Sequence, residues 1–340
     1  MAGFRTVFIK TTYHIGRYLS PDWLLKISRQ KLIAPFYHIV SDEPPPHIRH
    51  LYPVKTVRQF ERDLDFLLRH YQSLDLPAFQ SFVLQNRQPD KPSCFLTFDD
   101  GLRQFHEVIA PILLRKGIPA ACFLNSAFID NQDLFYRYKA SLLAEHFLQN
   151  PELVSDQKVS AMLAAPNQNA VSYLLSLSYR EKQKLDDLAS LTGYDFKEFL
   201  KVKKPYLTGE QIHELLKQGF HFGAHSVDHP EYRFLNFEEQ IRQTKESLEN
   251  ICQHFGLSYK TFSFPFTDYG VSAQFFETIY RDQIADITFG CAGQKKELFD
   301  RHVQRISFEM AHLSAREIHN AELMYSFFRA FFGKNIIRRK

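Results

Sequence analysis

Two short segments of the chain hold residues that could do chemistry together. Leu96-Thr97-Phe98-Asp99-Asp100-Gly101 ends in adjacent carboxylates, and His225-Ser226-Val227-Asp228-His229-Pro230 sets two imidazoles four positions apart. Paired carboxylates and paired imidazoles make a set of ligands and a base for a divalent cation, and metal-assisted hydrolysis is the first reaction they suggest. The histidine spacing alone says little: fifteen histidines in 340 residues produce such pairs by chance, and His221 with His225 is a second one. The flanking sequence says more. Cys94 to Phe98 reads as a buried parallel strand, with the two acids following where the strand gives way to a loop. Phe220 to His225 repeats the arrangement, with Gly223 allowing close backbone approach and Pro230 closing the loop. Both clusters fall at strand C-termini, the end of an α/β sheet at which sites are built.

The elements that must position these residues alternate along the chain. Residues 1–30 read as a helical extension, and Leu32 to Val40 as a strand entering the proline-rich loop Ser41 to Pro46. Thr56 caps a helix through about Tyr71, strand 93–98 follows, and a helix near 103–116 is ended by Gly117 before strand Ala120 to Leu124. The pattern resumes with helix 209–218, strand 220–225, helix 237–255, strand 261–266, helix 272–281, strands 284–289 and 304–309, and helix 314–332. Some seven or eight strands in such alternation favour a parallel sheet closed into a barrel. Residues 126–206 hold helical stretches at Leu134 to Leu148 and Tyr179 to Leu191 and no strand. Because this insertion leaves from a strand C-terminus, it emerges on the side of the site, either as a lid facing substrate or as a stabilising excrescence.

Composition bounds the function. At 340 residues and 44% hydrophobic content, one α/β domain with an insertion fits better than two independent units. A net charge of +4 without a long Lys/Arg stripe argues against nucleic acid as a partner. Thirty-three Phe and sixteen Tyr supply core and surfaces on which sugar rings can stack. Cys94, Cys122, Cys252 and Cys291 lack ligand-like spacing and read as reduced thiols of a cytoplasmic protein. Arg5, Lys10 and His14 interrupt the N-terminus before a secretory core can form, and no apolar run is long enough to span a bilayer. Phe327 to Lys340 mixes aromatics with five cations, a composition suited to peripheral contact with an anionic membrane or to packing on its own domain. The sequence carries no signal for a particular oligomeric state.

Thr97-Phe98-Asp99-Asp100-Gly101 and His225-Ser226-x-x-His229 resemble the first and second motifs of the polysaccharide deacetylase family, the NodB-homology metal-dependent carbohydrate esterases. Ser263-Phe264-Pro265-Phe266 falls where that family usually has Arg-x-Pro-Tyr, so the chain resembles a divergent member. The resemblance implies a distorted (β/α) barrel of about seven strands over 31–125 and 207–312. Outside it lie the 1–30 extension, the 126–206 helical insertion and a C-terminal amphipathic basic helix at 313–340. It implies a hydrolase of non-peptide carbon–nitrogen bonds that removes acetyl groups from an N-acetylated sugar of a polysaccharide or glycan precursor.

By spacing and by this resemblance, Asp100, His225 and His229 are the expected ligands of a divalent ion, Zn2+ first, with Co2+, Ni2+ or Fe2+ also accepted by such a donor set. The side chain of Asp99 diverges from its neighbour's, which leaves it as the base that takes a proton from the attacking water. The resemblance assigns oxyanion stabilisation to the backbone N–H of Phe266 after Pro265. Ser263 stands where an Arg usually holds the base, and Arg305, in Gln304-Arg305-Ile306-Ser307, is the candidate for supplying that guanidinium from a later strand. His312, in Met310-Ala311-His312, is the expected proton donor to the leaving amine, with His319 a looser alternative. His38, in Phe36-Tyr37-His38 at the end of the first strand, is expected to contact substrate. Two other readings share these residues: hydrolysis of O-acetyl esters or cyclic amides on the same metal site, and a carbohydrate-binding protein with a vestigial site, suggested by the missing Arg at 263.

Overall fold

The computed structural model describes residues 4–163, 169–310 and 312–339. Residues 1–3 of the N-terminal extension, 164–168 of the insertion, Ala311, and Lys340 of the basic tail lie outside the described residues. The short apolar runs of the sequence become strands β1 (Pro35–Tyr37), β2 (Leu96–Phe98), β3 (Ala120–Leu124), β4 (His221–Ala224), β5 (Thr261–Ser263), β6 (Ile287–Gly290), β7 (His302–Gln304) and β8 (Ile306–Ser307). All five residues of β3 are buried, as a parallel strand covered on both faces requires.

The order across the sheet is β7-β6-β5-β4-β3-β2-β1-β8, with every pair parallel. Strands β7 and β8 are separated only by Arg305, so one stretch of chain pairs first with β6, Val303 opposite Phe289, and then with β1, Ile306 opposite Pro35. This change of partner joins the two edges of the sheet into a nearly closed, distorted (β/α) barrel of seven strand positions. Closure leaves no long edge open to pairing with another chain. Gly223 in β4 is needed for it: a Cβ there would lie 2.6 Å from the carbonyl oxygen of Thr261 and 2.7 Å from the Phe123 ring.

The barrel floor is aromatic. Phe79, from the helix Leu76–Leu84, reaches between the strands and stacks on Phe95 at 4.4 Å, beside Phe123 and Phe289 at 5.1 Å from each other. The sequence pattern joins Leu32 to Val40 and Cys94 to Phe98 into single strands. The structure breaks both, and their first halves, Leu32–Ile33 and Ser93–Cys94, form a separate three-stranded sheet with Gln72–Ser73.

The helices include α1 (Phe4–Gly16), α2 (Pro21–Ser28), α3 (Val57–His70), α4 (Tyr136–Gln149), α5 (Phe237–Phe255) and α6 (Ala315–Phe331). Thr56 caps α3 through a reciprocal box with Gln59, as the sequence suggests. The C-terminal helix packs on its own domain, one of the two readings its composition allows: α6 buries Ile318 through Leu323 beneath α1, α2 and α3. His319 is a core residue bonded to the Tyr71 hydroxyl at 2.6 Å, which removes it from the proton donors. Beyond α6 the chain turns back, and the Arg339 guanidinium enters a buried acidic pocket made by Asp268 and Glu297. The insertion builds its own core around Leu142, Leu143, Leu174, Leu185 and Leu188 and seats it on Ile39, Ile48 and Leu102 of the barrel's upper end. Among the described residues, no helix is long and apolar enough to cross a membrane.

Candidate active site

The last rung of the β1–β2 ladder is the N–H of Asp99 donating to Tyr37 O at 3.0 Å. Immediately afterwards Asp100 takes φ 71° and Gly101 φ 63°, and a Cβ on Gly101 would come within 2.6 Å of a Leu124 methyl. This left-handed turn sends two consecutive carboxylates to different partners. Asp100 Oδ1 lies 3.2 Å from His229 Nε2 and 3.5 Å from His225 Nε2, and all three residues are buried. His225 donates its Nδ1–H to the carbonyl of Ser263 at 2.8 Å, which leaves the Nε2 lone pair on the Asp100 side. Burial lowers the His225 pKa to about 4, so the ring is neutral near physiological pH. Burial alone would raise the Asp100 pKa, but the imidazoles of His229, His38 and His225 outweigh it and hold the carboxyl well below the usual range.

The fit to a divalent cation rests on unmet hydrogen bonding. Asp100 Oδ1 and His225 Nε2 are buried without a hydrogen-bond partner, and one donor atom from each of Asp100, His225 and His229 lies within 4.8 Å of the others. Orphaned buried acceptors facing one another are costly unless a cation sits among them, and one carboxylate with two imidazoles is a zinc-type donor set. A second cluster, Asp268, Glu297 and His302, is as compact but already filled: Arg339 reaches Glu297 at 2.7 Å and Gln304 reaches Asp268 at 2.7 Å.

Asp99 turns instead to Arg305, which is 1% exposed. The guanidinium holds both carboxylate oxygens, Nη1 to Oδ1 at 2.8 Å and Nη2 to Oδ2 at 2.6 Å. It also donates to Ser263 Oγ at 2.6 Å, Thr97 Oγ1 at 3.1 Å and the Gly290 carbonyl at 3.3 Å, and stacks over Phe36 at 4.5 Å. Ser263 thus leaves room for a guanidinium arriving from the opposite strand and accepts a hydrogen bond from it. Burial would raise the Asp99 pKa, but Arg305 outweighs it and keeps the carboxylate ionised.

His38 follows β1 directly and so stands level with Asp99, since Tyr37 is in register with Phe98. Its ring Nδ1 and its backbone N–H both meet the carboxylate of Glu309, which also accepts from Ile39 N at 3.0 Å. Burial pulls the His38 pKa down, but Glu309, with Asp100 and Asp99 farther off, raises it to about 10. Phe266, after Pro265, has φ 55° and lays its ring 4.7 Å from that of His229. Among the described residues, no acceptor meets the Phe266 N–H. Asp100, Ser226, His229 and Phe266 are all left-handed, a cost of about 1–3 kcal/mol each that concentrates in the loops of this one site. The insertion reaches the same loops: Tyr138 of α4 donates to Asp100 Oδ2 at 2.9 Å, and Tyr179 and Lys182 hold Asp228 at 2.7 and 2.6 Å.

A sequence model of the polysaccharide deacetylase family matches residues 86–277, more than half of the chain. The chain belongs to the polysaccharide deacetylase family. Its fold is shared with the deacetylase PplD of Streptococcus pyogenes, solved in complex with acetate, at 14% identity and a TM-score of 0.55, over 86% of this chain and 98% of that one. IcaB from Ammonifex degensii aligns at 13% identity and a TM-score of 0.51, over 86% and 97% of the two chains. None of the curated proteins matches the chain. Membership makes this deacetylase a hydrolase of carbon–nitrogen bonds other than peptide bonds, acting on an acetylated carbohydrate.

One expected member of the deacetylase site does not reach it. His312 lies in an exposed turn ahead of α6, and the residue of that segment that enters the site is Glu309. The chain leaves the barrel after Phe308, so the apolar-x-His pattern falls one turn too late. Sequence reasoning missed Glu309, Tyr138 and Asn125, whose amide bonds the His225 carbonyl. Glu309 could have been found by assuming that the first and last strands pair, whereas Tyr138 sits within a helix of the insertion that carries no motif.

Arg305→Ala should lower turnover by on the order of 10²-fold, the loss expected of a positioned base, with metal content little changed. Arg305→Lys, keeping the charge without the fork, should fall between. Steady-state kinetics beside metal analysis checks this, and wild-type turnover in Arg305→Ala would contradict it.

Proposed function

We propose that the deacetylase removes the acetyl group from an N-acetylated sugar of a polysaccharide or glycan precursor, with a divalent cation, Zn2+ by donor chemistry, held by Asp100, His225 and His229. The observation that carries the reading is the division of labour between two adjacent carboxylates, one clamped by Arg305 and the other facing two imidazoles. A vestigial site would have no reason to keep a buried guanidinium on the base. When bound, the cation supplies a Lewis acid toward the acetyl carbonyl and makes water acidic enough to deprotonate.

The protein's own groups do the rest. Asp99, ionised and fixed in orientation, takes the proton of the attacking water. The N–H of Phe266 donates to the oxyanion as the acetamide carbon becomes tetrahedral. His38, kept protonated by Glu309, gives its proton to the sugar nitrogen as the C–N bond breaks, so amine and acetate leave. Acetate is the ligand in the PplD structure that shares this fold. In this reading residues 31–125 and 207–312 are the catalytic barrel, and 126–206 is its substrate-facing cap. The cap's support is Tyr138 on Asp100 and the buried rings of Phe135 and Tyr136, which pack behind Phe266, whose 39% exposed ring offers a face to a sugar.

Incubation of the purified protein with N-acetylated oligosaccharides should release acetate and free amine in equal amounts. Turnover confined to O-acetyl esters or cyclic amides would replace the reading. Because His38 must be protonated to donate, the rate should fall as pH rises through its pKa. Glu309→Gln removes the charge that raises that pKa, so the alkaline limb of kcat/KM should move to lower pH, and an unmoved limb would take the proton donor's role away from His38.

A further inference from the structure

The layer formed by α1, α2 and the end of α6 has a composition unlike the rest of the chain. Residues 1–31 and 328–340 hold eleven Lys and Arg against a single acid, Asp22, in a chain whose net charge is +4, so the remainder of the molecule is net acidic. Two of these cations turn inward, Arg5 to Glu322 and Arg339 to Asp268 and Glu297. Lys10, Lys26, Arg29, Lys334 and Arg338 remain exposed. Nine of the twenty exposed large apolar side chains among the described residues fall in the same two segments. They include Tyr18 at 82%, Trp23 at 56%, Phe331 at 86% and Phe332 at 55% exposure.

These groups belong to one packed unit. Helix α1 lies along α6, with the Phe8 ring 5.6 Å from Phe328 and Phe328 5.0 Å from Phe332. Asn320 donates to Gly16 O at 2.8 Å, and Arg316 to Leu19 O at 3.2 Å, tying the α1–α2 connection to α6. Along α1 and the turn that follows it, Val7, Thr11, His14 and Tyr18 form an exposed stripe on the side away from buried Ile9, flanked by Lys10 and Arg17. Apolar and aromatic groups set among exposed cations, with Asp22 held by His70 at 2.7 Å and Glu317 the one acid beside a flanking cation, 3.9 Å from Arg17, match a surface that is anionic in its plane and apolar just beneath it. A soluble polyanion would use the cations and leave Val7, Ile15 and the phenylalanines in water.

We propose that this layer docks peripherally on an anionic phospholipid bilayer, which would hold the deacetylase at a membrane face. Trp23 is the chain's one tryptophan and lies in the proposed contact, so its emission reports docking directly. The full-length protein should sediment with vesicles of phosphatidylcholine and phosphatidylglycerol, bind pure phosphatidylcholine poorly, and show a blue shift of Trp23 that added salt reverses. F331S with F332S, and separately K334E with R338E, should each weaken partitioning by on the order of tenfold while leaving turnover of a soluble oligosaccharide unchanged. Absence of vesicle binding overturns the proposal. So does binding to heparin without binding to vesicles, which would assign the layer to a soluble polyanion, or a concentration-dependent Trp23 shift without lipid, which would assign it to a second copy of the chain.

Discussion

The buried pair between Arg305 and Asp99 organises the molecule as well as its site. A guanidinium with almost no contact with water is tolerable only when its donors are satisfied. Here the carboxylate, the hydroxyls of Ser263 and Thr97 and the Gly290 carbonyl satisfy them. Those partners come from β2, β5 and β6, and Arg305 itself sits at the break where the last strand changes partner and closes the barrel. The seam of the fold and the support of the proposed base are therefore one residue. Removing one partner would strand a buried charge, at a cost of about 3–5 kcal/mol, so the proposed catalysis and the stability are tied together at this point.

The rest of the site follows from committing Asp99. Because both its oxygens are taken, only Asp100 can serve the two imidazoles, and the left-handed turn at Asp100 and Gly101 makes that split geometrically possible. Ser263 then has two duties that an Arg at the same position would meet differently: its hydroxyl receives the guanidinium, and its carbonyl orients His225 so that Nε2 is free. His38 and Glu309 complete the ring from the strand on the far side of β2, where closure brings the first and last strands together.

What could be read from the sequence is what depends on local pattern. Asp99, Asp100, His225 and His229 stand at the ends of apolar runs, and runs such as Ala120 to Leu124 declare buried parallel strands without help from the rest of the chain. The Arg305–Asp99 pair was legible because Ser263, standing where the resembled family usually has an Arg, leaves the buried Asp99 carboxylate in need of a cation from elsewhere. What could not be read depends on closure and on distant packing. Glu309 becomes a partner of His38 only once the barrel has joined its edges. Tyr138 is thirty-eight residues from Asp100 in a helix with no motif. His319, Asn320 and Glu322 look like surface residues of an amphipathic helix and are buried because the N-terminal helices cover them, with Arg5 on Glu322 and Gly16 on Asn320.

The central claim is that Asp100, His225 and His229 hold a metal ion while Asp99, clamped by Arg305, stays off it and acts as the base. Metal content of purified wild type, His225→Ala, His229→Ala and Asp99→Asn, measured beside turnover, tests it most directly. The account predicts about one ion per chain in the wild type, loss of the ion in both histidine variants, and retention of the ion with loss of turnover in Asp99→Asn. Equal loss of metal in all three variants would make Asp99 a ligand and contradict the division of roles.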